Sequence, residues 1–386
     1  MGNVARKQNF FILLQRNKTF FNVFDHMITD KISFEWILYI MLYGGAAVAA
    51  LIACIYLVLR RGNAFAPGVT SPVRLRRWTA AFFAVSFLGH IWWVLFDLYS
   101  GNVYSVFCVV VGTIDSMSLL ATLVGMQLSM LQDHKRKVWP VVMAGVPYPV
   151  FLALNVVYPG RNLINIGIAY ILLVYVLFTV YMVFAVRKYG RWLRDNYADL
   201  EHKEVWISQL LVGAILILTI AYGFDTGDLT IAYVVQLIET VLFGLLLWRV
   251  ETLPNLQEEQ SAPLVYREVQ RDGANIEQLL AELCVAKQLY LQHDLTLHQL
   301  AHAIGTNRTY LSQYFSSQGI TYNTYINNLR IDYFMDHYYK VQDAQHPITV
   351  RRLASESGYN SYSTFNLAFK QRVGESVTIW MRKMSK

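Results

Sequence analysis

Cysteine and charge are scarce in this sequence, and the common catalytic signatures are missing. Three cysteines, Cys54, Cys108 and Cys284, in 386 residues do not frame a disulfide-stapled scaffold. None stands in a CxxC pair, so nothing marks a zinc site, and the thiols read as small buried hydrophobes. Charged residues make up only 15% of the chain against 55% hydrophobic, and the mean hydropathy is +0.33. That is not the balance of an ordinary soluble domain. There is no GxxxxGK[ST] phosphate loop, no GxGxxG after a strand, no GxSxG and no HExxH. The chain is therefore not expected to be an enzyme, and no metal or cofactor is expected. His298 and His302 stand four apart, as a metal pair can, but without a third ligand nearby they are expected to be structural or solvent-exposed.

What the sequence does hold is unevenly distributed. Long apolar runs fill Trp36 to Val250, and charge becomes frequent only after Glu251. The length suits two domains, and the asymmetry predicts a membrane domain followed by a soluble one. A spanning helix needs about 20 mainly apolar residues. Seven segments qualify: Trp36–Leu59, Trp78–Phe96, Val103–Leu131, Val138–Tyr158, Leu163–Val186, Val205–Phe224 and Leu229–Trp248. The fourth is interrupted by Pro140, Pro147 and Pro149, which membrane helices tolerate when neighbours satisfy the freed backbone groups.

Basic residues in short loops orient such a bundle. The first loop holds Arg60, Arg61, Arg74, Arg76 and Arg77; the third holds Lys135, Arg136 and Lys137; the fifth holds Arg187, Lys188, Arg191, Arg194 and Lys203. The loops between them carry only Arg161, beside Asp225 and Asp228. The odd-numbered loops are thus expected in the cytoplasm of a bacterial cell, the membrane being its inner one, with everything after Arg249 on that side. The N-terminal tail, residues 1–34, runs against this pattern, since Arg6, Lys7, Arg16, Lys18 and Lys31 would have to lie outside. Phe10, Phe11, Phe20 and Phe21 alternate with those charges, as in a segment resting on a membrane surface.

Ionisable groups inside spans are costly and tend to be functional. His90, Asp115 and Glu239 fall in the second, third and seventh spans, and counting about 1.5 Å per residue from the outer ends puts them at similar depth. They are the candidate intramembrane sensing residues. The alternative is that each hydrogen-bonds a neighbouring helix and holds the bundle together.

Residues 251–275 contain Pro254, Pro263 and Gly273 and read as a flexible linker. An amphipathic helix is expected next, with Asn275 as N-cap and Ile276, Leu279, Leu280, Leu283 and Leu289 at helical spacing. A pattern then occurs twice. The first copy is LTLHQLAHAIGTNRTYLSQYF, Leu295 to Phe315. In it Thr296 and Gln299 form a capping box, Gly305 suits a helix end, and Asn307 can cap a second helix. The second copy is ITVRRLASESGYNSYSTFNLAFK, Ile348 to Lys370, where Leu353, Ala354, Gly358, Phe365 and Phe369 repeat Leu300, Ala301, Gly305, Leu311 and Phe315 with one extra residue in the turn. A connecting helix, about Tyr322 to Tyr339, separates them, with Leu329 and Phe334 inward. Two helical hairpins of this kind, joined by a helix, form a stronger signal than either alone.

This stretch resembles the AraC/XylS family of transcriptional regulators. The residues that carry the resemblance are LxxLAxxIGTNRTYLSxxF, then YNTYINNLRI from Tyr322 to Ile331, then RLASESGYNSYSTFNLAFK and Gly374. It covers Ile276 to Arg382 of a soluble domain expected at residues 276–386 and leaves the membrane half untouched; the combination is similar to membrane-anchored regulators of Bacteroidetes-like bacteria. With the apolar runs, the expected fold is all-α, a polytopic helical membrane bundle of about seven spans followed by an all-helical double helix-turn-helix domain, in which the resemblance implies seven helices. The resemblance also implies two recognition helices entering successive major-groove segments of double-stranded DNA. Matched onto the family pattern, Thr309, Ser312 and Gln313 would face bases from the first helix, and Tyr362, Ser363 and Asn366 from the second. Arg308, Arg330 and Lys370 would serve phosphates or internal pairs. Two departures stand out: Leu367 replaces a usual basic residue, and Val377 a usual proline. The first shifts recognition toward the first helix. From residue 276 onward there are eleven Lys or Arg against eight Asp or Glu, a small excess for a DNA binder, so a homodimer is expected to supply affinity. The other partners implied are membrane lipid, RNA polymerase, and a small-molecule or physical signal. The alternative function is a transporter or channel gated by a cytoplasmic helical domain.

Overall fold

The computed structural model describes residues 34–384, apart from 61, 99–105, 159–160, 162, 202, 224–228, 257–275 and 344–348. The N-terminal tail, the Asp225–Asp228 loop, the cap expected at Asn275 and most of the expected linker lie outside the described residues. The chain is all-α. Among the described residues there is no β-strand, and one isolated bridge pairs Tyr197 with Thr296.

Among the described residues, eight helices precede the linker: α1 Phe34–Leu59, α2 Val73–Leu98, α3 Val106–Met130, α4 Trp139–Gly145, α5 Pro147–Val157, α6 Leu163–Asn196, α7 Trp206–Gly223 and α8 Leu229–Thr252. They coincide with the seven expected apolar segments, the fourth being divided into α4 and α5. The division has a local cause. Pro147 has no N–H to donate and its ring crowds the preceding turn, so α4 closes with a tight Val146 N–H to Met143 O bond of 3.2 Å and α5 restarts with proline in its first turn. Among the described residues, four stretches are long and apolar enough to cross a membrane: Ile37–Leu59, Val110–Met130, Trp139–Val157 and Leu163–Asn196.

Two expectations change here. α6 runs on to Asn196, so Arg187, Lys188, Arg191 and Arg194 ride on its last turns rather than in a loop. And Arg136 is not a free loop charge: it is 7% exposed and pairs with Asp133 at 2.6 Å. Burial pushes the Asp133 carboxyl up, but the hydrogen bond and charge of Arg136 outweigh this and hold it below its ordinary value.

The chain divides into two compact units. The first comprises residues 1–61, 79–123 and 210–248. Part of its interior is aromatic, with the Phe243 ring edge-on to Phe82 and Phe83 at 6.0 and 5.5 Å. The second comprises residues 62–78, 124–209 and 249–386. Within it, the start of the expected linker is packed rather than loose. Glu251, Leu253 and Leu256 are at most 1% exposed, the Asn63 carboxamide donates to Glu251 O, and Gln132 both donates to Pro254 O and accepts from Leu256 N. Backbone groups of Glu251, Pro254, Asn255 and Leu256, in a segment expected to be flexible, are thus bonded inside the unit.

The rest of the second unit is helical. A short α9, Ile276–Leu279, passes into a π-turn at Leu280–Val285 and a 3₁₀ turn at Leu289–Leu291. The single amphipathic helix expected here is broken because Gln288 adopts φ 54°, a left-handed conformation that ends a helix. Then come α10 Leu297–Ala303, α11 Arg308–Ser317, α12 Tyr322–Asp343, α13 Val350–Glu356, α14 Tyr362–Val373 and α15 Val377–Met384. Leu280, Cys284, Leu300, Leu311, Phe315 and Ile326 belong to one buried cluster, and Phe334, Leu353, Phe365, Phe369 and Trp380 to a second. α12 runs through both.

Burial pushes the Cys284 thiol up to about 11, which leaves on the order of one thiolate in a thousand at pH 8. Cys284 is therefore expected to resist iodoacetamide at pH 8 in the folded chain and to be alkylated once guanidinium opens the cluster. Peptide mass mapping reads this directly, and rapid labelling of the native protein would contradict the packing.

Candidate nucleic-acid interface

The first helical hairpin is built by its caps. Thr296 Oγ1 accepts from Gln299 N at 3.2 Å while Gln299 Oε1 accepts from Thr296 N at 2.8 Å, the reciprocal capping box expected from sequence. α10 ends at Gly305, φ 75°. Asn307 Oδ1 then accepts from Tyr310 N at 2.9 Å and starts α11. Leu311 and Phe315 face the core, 0% and 2% exposed. The 3.6-residue repeat consequently turns Thr309 and Gln313 outward, with Arg308 and Ser312 half-buried at the flanks. Tyr310, 61% exposed, stands beside them. Sequence reasoning passed over it, although its place outside the Leu311 and Phe315 register was the available signal.

The second hairpin repeats the design with a different cap. Gly358 turns with φ 89°, and a side chain there would meet Leu291 O at 2.8 Å and Arg330 Nε at 3.0 Å, so both backbone and space demand glycine. Ser361, not singled out from sequence, caps α14 by accepting from Thr364 N at 3.2 Å. Phe365, Ala368 and Phe369 are buried, which leaves Ser363, Leu367 and Lys370 exposed and Tyr362 and Asn366 half-buried. Tyr362 is partly committed to packing, its ring 5.9 Å from Phe365. Leu367, 60% exposed, puts an apolar side chain where the helix face would otherwise be polar.

Of the two roles left open for Arg330, phosphate contact or internal pairing, the structure takes the internal one. Arg330 is 0% exposed and cannot meet a phosphate. Its Nε donates to Tyr290 O at 2.7 Å, its Nη2 to Gln292 O at 2.7 Å and to His293 O at 3.1 Å, and its guanidinium lies 5.4 Å from the centre of the Tyr359 ring. Burial lowers its pKa, and the nearby Tyr359 and Tyr322 act in the opposite direction.

A separate polar group sits in the first unit. His90 is 8% exposed; its Nδ1 lies 2.7 Å from Ser86 O, and its Nε2 lies 3.3 Å from Gln236 Oε1 and 4.0 Å from Glu239 Oε2. Tyr43 donates to His90 O at 2.9 Å, and its ring packs on the imidazole at 4.7 Å. The Asp115 carboxylate comes up against Gly89, 3.4 Å from where a Cβ would stand. Histidine and both carboxylates therefore lie on facing helices of one unit. Gln236 and Tyr43 join them, and neither was anticipated.

A family profile described as "Helix-turn-helix domain" matches residues 300–383, a span that takes in most of α10 and the helices from α11 to α15. These residues form an AraC-type helix-turn-helix domain, which supports DNA binding and a role in transcription regulation. Comparison with curated proteins and with solved structures returns no match.

Replacing Arg330 with Leu should strip three carbonyls of their charged donor and destabilise this domain by roughly 3 kcal/mol, the upper end for a buried polar group left unpaired. Lys, a point charge without the planar fork, should recover only part. Hydrogen exchange of the α12 core amides in the detergent-solubilised chain measures it, and unchanged protection in the Leu variant would refute this role.

Proposed function

We propose that this chain is a membrane-bound, one-component transcription regulator, in which the helix-turn-helix domain reads duplex DNA on the cytoplasmic side and the membrane domain supplies the signal. The observation that carries the reading is the pair of capped hairpins held on one rigid helix. α12 has 22 residues, about 33 Å at 1.5 Å per residue, which is on the scale of the roughly 34 Å between successive major-groove segments on one DNA face. Gln313 suits an adenine edge, and Thr309 a thymine methyl or a phosphate. Arg308 and Lys370 are the residues for the backbone, and Ser312, Tyr362, Ser363 and Asn366 complete the contact set.

The membrane assignment is supported by surface chemistry. Leu173, Val176, Leu177, Val180 and Phe184 of α6 are between 49% and 64% exposed, an apolar stripe that water would penalise and lipid would not. Seven spans, with α4 and α5 together making the fourth, put the domain after Arg249 where DNA is. The group around His90, Asp115 and Glu239 is the candidate sensing site, because charge inside spans is costly to keep without a use. A homodimer, whose two chains would read paired sites and gain affinity from both, is part of the reading, as is contact with RNA polymerase.

Two measurements test it. Binding of the full chain to a selected duplex should weaken steeply with salt as counterions are released. Gln313→Ala should cost about 1–3 kcal/mol on that duplex and little on random sequence; equal loss on both would reassign Gln313 to the backbone. For sensing, Asp115→Asn and Glu239→Gln should lock reporter transcription high or low at equal protein level. Each intramembrane charge is worth about 2.5–3.5 kcal/mol on insertion scales, against the roughly 5.5 kcal/mol that moves a two-state switch from 1:99 to 99:1. Normal, signal-dependent output from both variants would remove the sensing site and leave DNA binding untouched.

A further inference from the structure

The second recognition helix already has a partner. After α6 the chain runs through Tyr197, Ala198, Asp199 and Glu201 against the helix-turn-helix domain, within the same compact unit. Ala198 is 1% exposed and belongs to the first hairpin's core. The Asn323 carboxamide, at the start of α12, donates to Tyr197 O at 3.1 Å and to Ala198 O at 2.7 Å. This anchor delivers two carboxylates to the N-terminal end of α14. Glu201 Oε1 accepts from Ser363 Oγ at 3.3 Å, and Glu201 Oε2 from Thr364 Oγ1 at 3.3 Å. Asp199 shares the single Thr364 hydroxyl proton with Glu201, its oxygen 3.5 Å from Thr364 Oγ1, and lies 3.5 Å from the Asn360 amide, which also donates to Asp294 at 2.9 Å.

Hydroxyls and amides at a helix N-terminus are what a phosphate oxygen would use, because the helix end carries partial positive charge and orients donors outward. The carboxylates of Asp199 and Glu201 take those donors with the same charge sign and acceptor chemistry. Ser363 cannot give its hydroxyl to Glu201 and to DNA together, and two negative groups at this end would repel an approaching phosphate backbone. We infer that this acidic segment and duplex DNA compete for one surface on the second recognition helix, so that the docked chain is held in a low-affinity state which DNA, or a signal arriving through α6, must release. The inference rests on the DNA-binding reading above.

The test uses the full chain in phospholipid nanodiscs and a labelled random-sequence duplex at low salt. Asp199→Asn combined with Glu201→Gln keeps size and removes both charges. The expected result is about tenfold tighter binding than the unaltered chain, the loss of a few charge-assisted hydrogen bonds from the competing state. Saturating DNA should also raise hydrogen exchange across residues 199–204, beyond the Ala198 anchor, in the unaltered chain. Equal affinity of the two proteins, with exchange unmoved by DNA, overturns the inference while leaving DNA binding in place. If neither protein binds duplex, the DNA reading itself falls and the competition falls with it.

Discussion

The guanidinium of Arg330, fully buried in the middle of α12, donates to the carbonyls of Tyr290, Gln292 and His293 and lies over the ring of Tyr359. One side chain thereby fixes three things: the 3₁₀ turn before the first hairpin, the helix that joins the hairpins, and the turn of the second. Burying a cation is expensive unless its donors are met, and here backbone carbonyls, which no substitution nearby can remove, meet most of them. Gly358 belongs to the same arrangement, since a side chain there would press on both Arg330 and Leu291. This junction ties α12 to the 3₁₀ turn before the first hairpin and to the turn before α14, and on the proposed reading a two-headed DNA reader would need both heads held in that way.

Much of this domain was legible because its rules are local. Caps and turns act over three to five residues, so Thr296 with Gln299, Asn307, Gly305 and Gly358 could be read from spacing, as could the inward face of Leu311, Phe315, Phe365 and Phe369. What escaped was non-local. An arginine on a polar-looking helix is expected outside, and nothing near Arg330 in sequence announces carbonyls nearly forty residues upstream. The helix expected after Asn275 failed for a related reason: its leucine spacing fits a continuous helix as well as the broken one, and the left-handed Gln288 carries no local signal. Asp199 and Glu201 meet partners more than 160 residues away, beyond any periodicity. In the apolar half, sequence located the helices, because length and hydropathy suffice there. It missed Gln236 and Tyr43 beside His90, because neither residue type stands out in an apolar run.

The two recognition helices are unequal in a way that bears on specificity. α11 presents Thr309, Tyr310 and Gln313 to solvent, two side chains that can hydrogen-bond base edges or phosphates beside a large aromatic. α14 presents Ser363 and Lys370 around the exposed Leu367, and an aliphatic side chain offers a base only its methyl contacts. On the proposed DNA-binding reading, sequence discrimination would therefore fall mainly on the first hairpin. On the same reading the second would contribute backbone anchoring through Ser363 and Lys370, sequence-independent and salt-sensitive. That is also the head whose N-terminal donors are engaged by carboxylates. Blocking the anchoring head lowers affinity on every sequence without altering which sequence is preferred.

The acidic segment is held in two tiers of different strength, and the difference determines what can move. Tyr197 and Ala198 are fixed by short amide-to-carbonyl bonds and by burial in the first hairpin's core. Asp199 and Glu201 make longer contacts, 3.3–3.5 Å, mostly to hydroxyls. Individual hydrogen bonds contribute about 0.5–1.5 kcal/mol net, and those to charged groups up to about 3, so the outer tier is worth a few kcal/mol at most. This is less than the roughly 5.5 kcal/mol that would keep a switch from 1:99 to 99:1 closed against a competitor, but enough to shift an equilibrium tenfold or more. Phosphates arriving at Ser363 can therefore strip the outer tier while the inner one stays in place. A displacement of α6, which leads into the inner tier at Tyr197, would instead have to pull Ala198 from an apolar core. On the proposed reading DNA would release the carboxylates alone, whereas a signal carried by α6 would have to shift the first hairpin together with them.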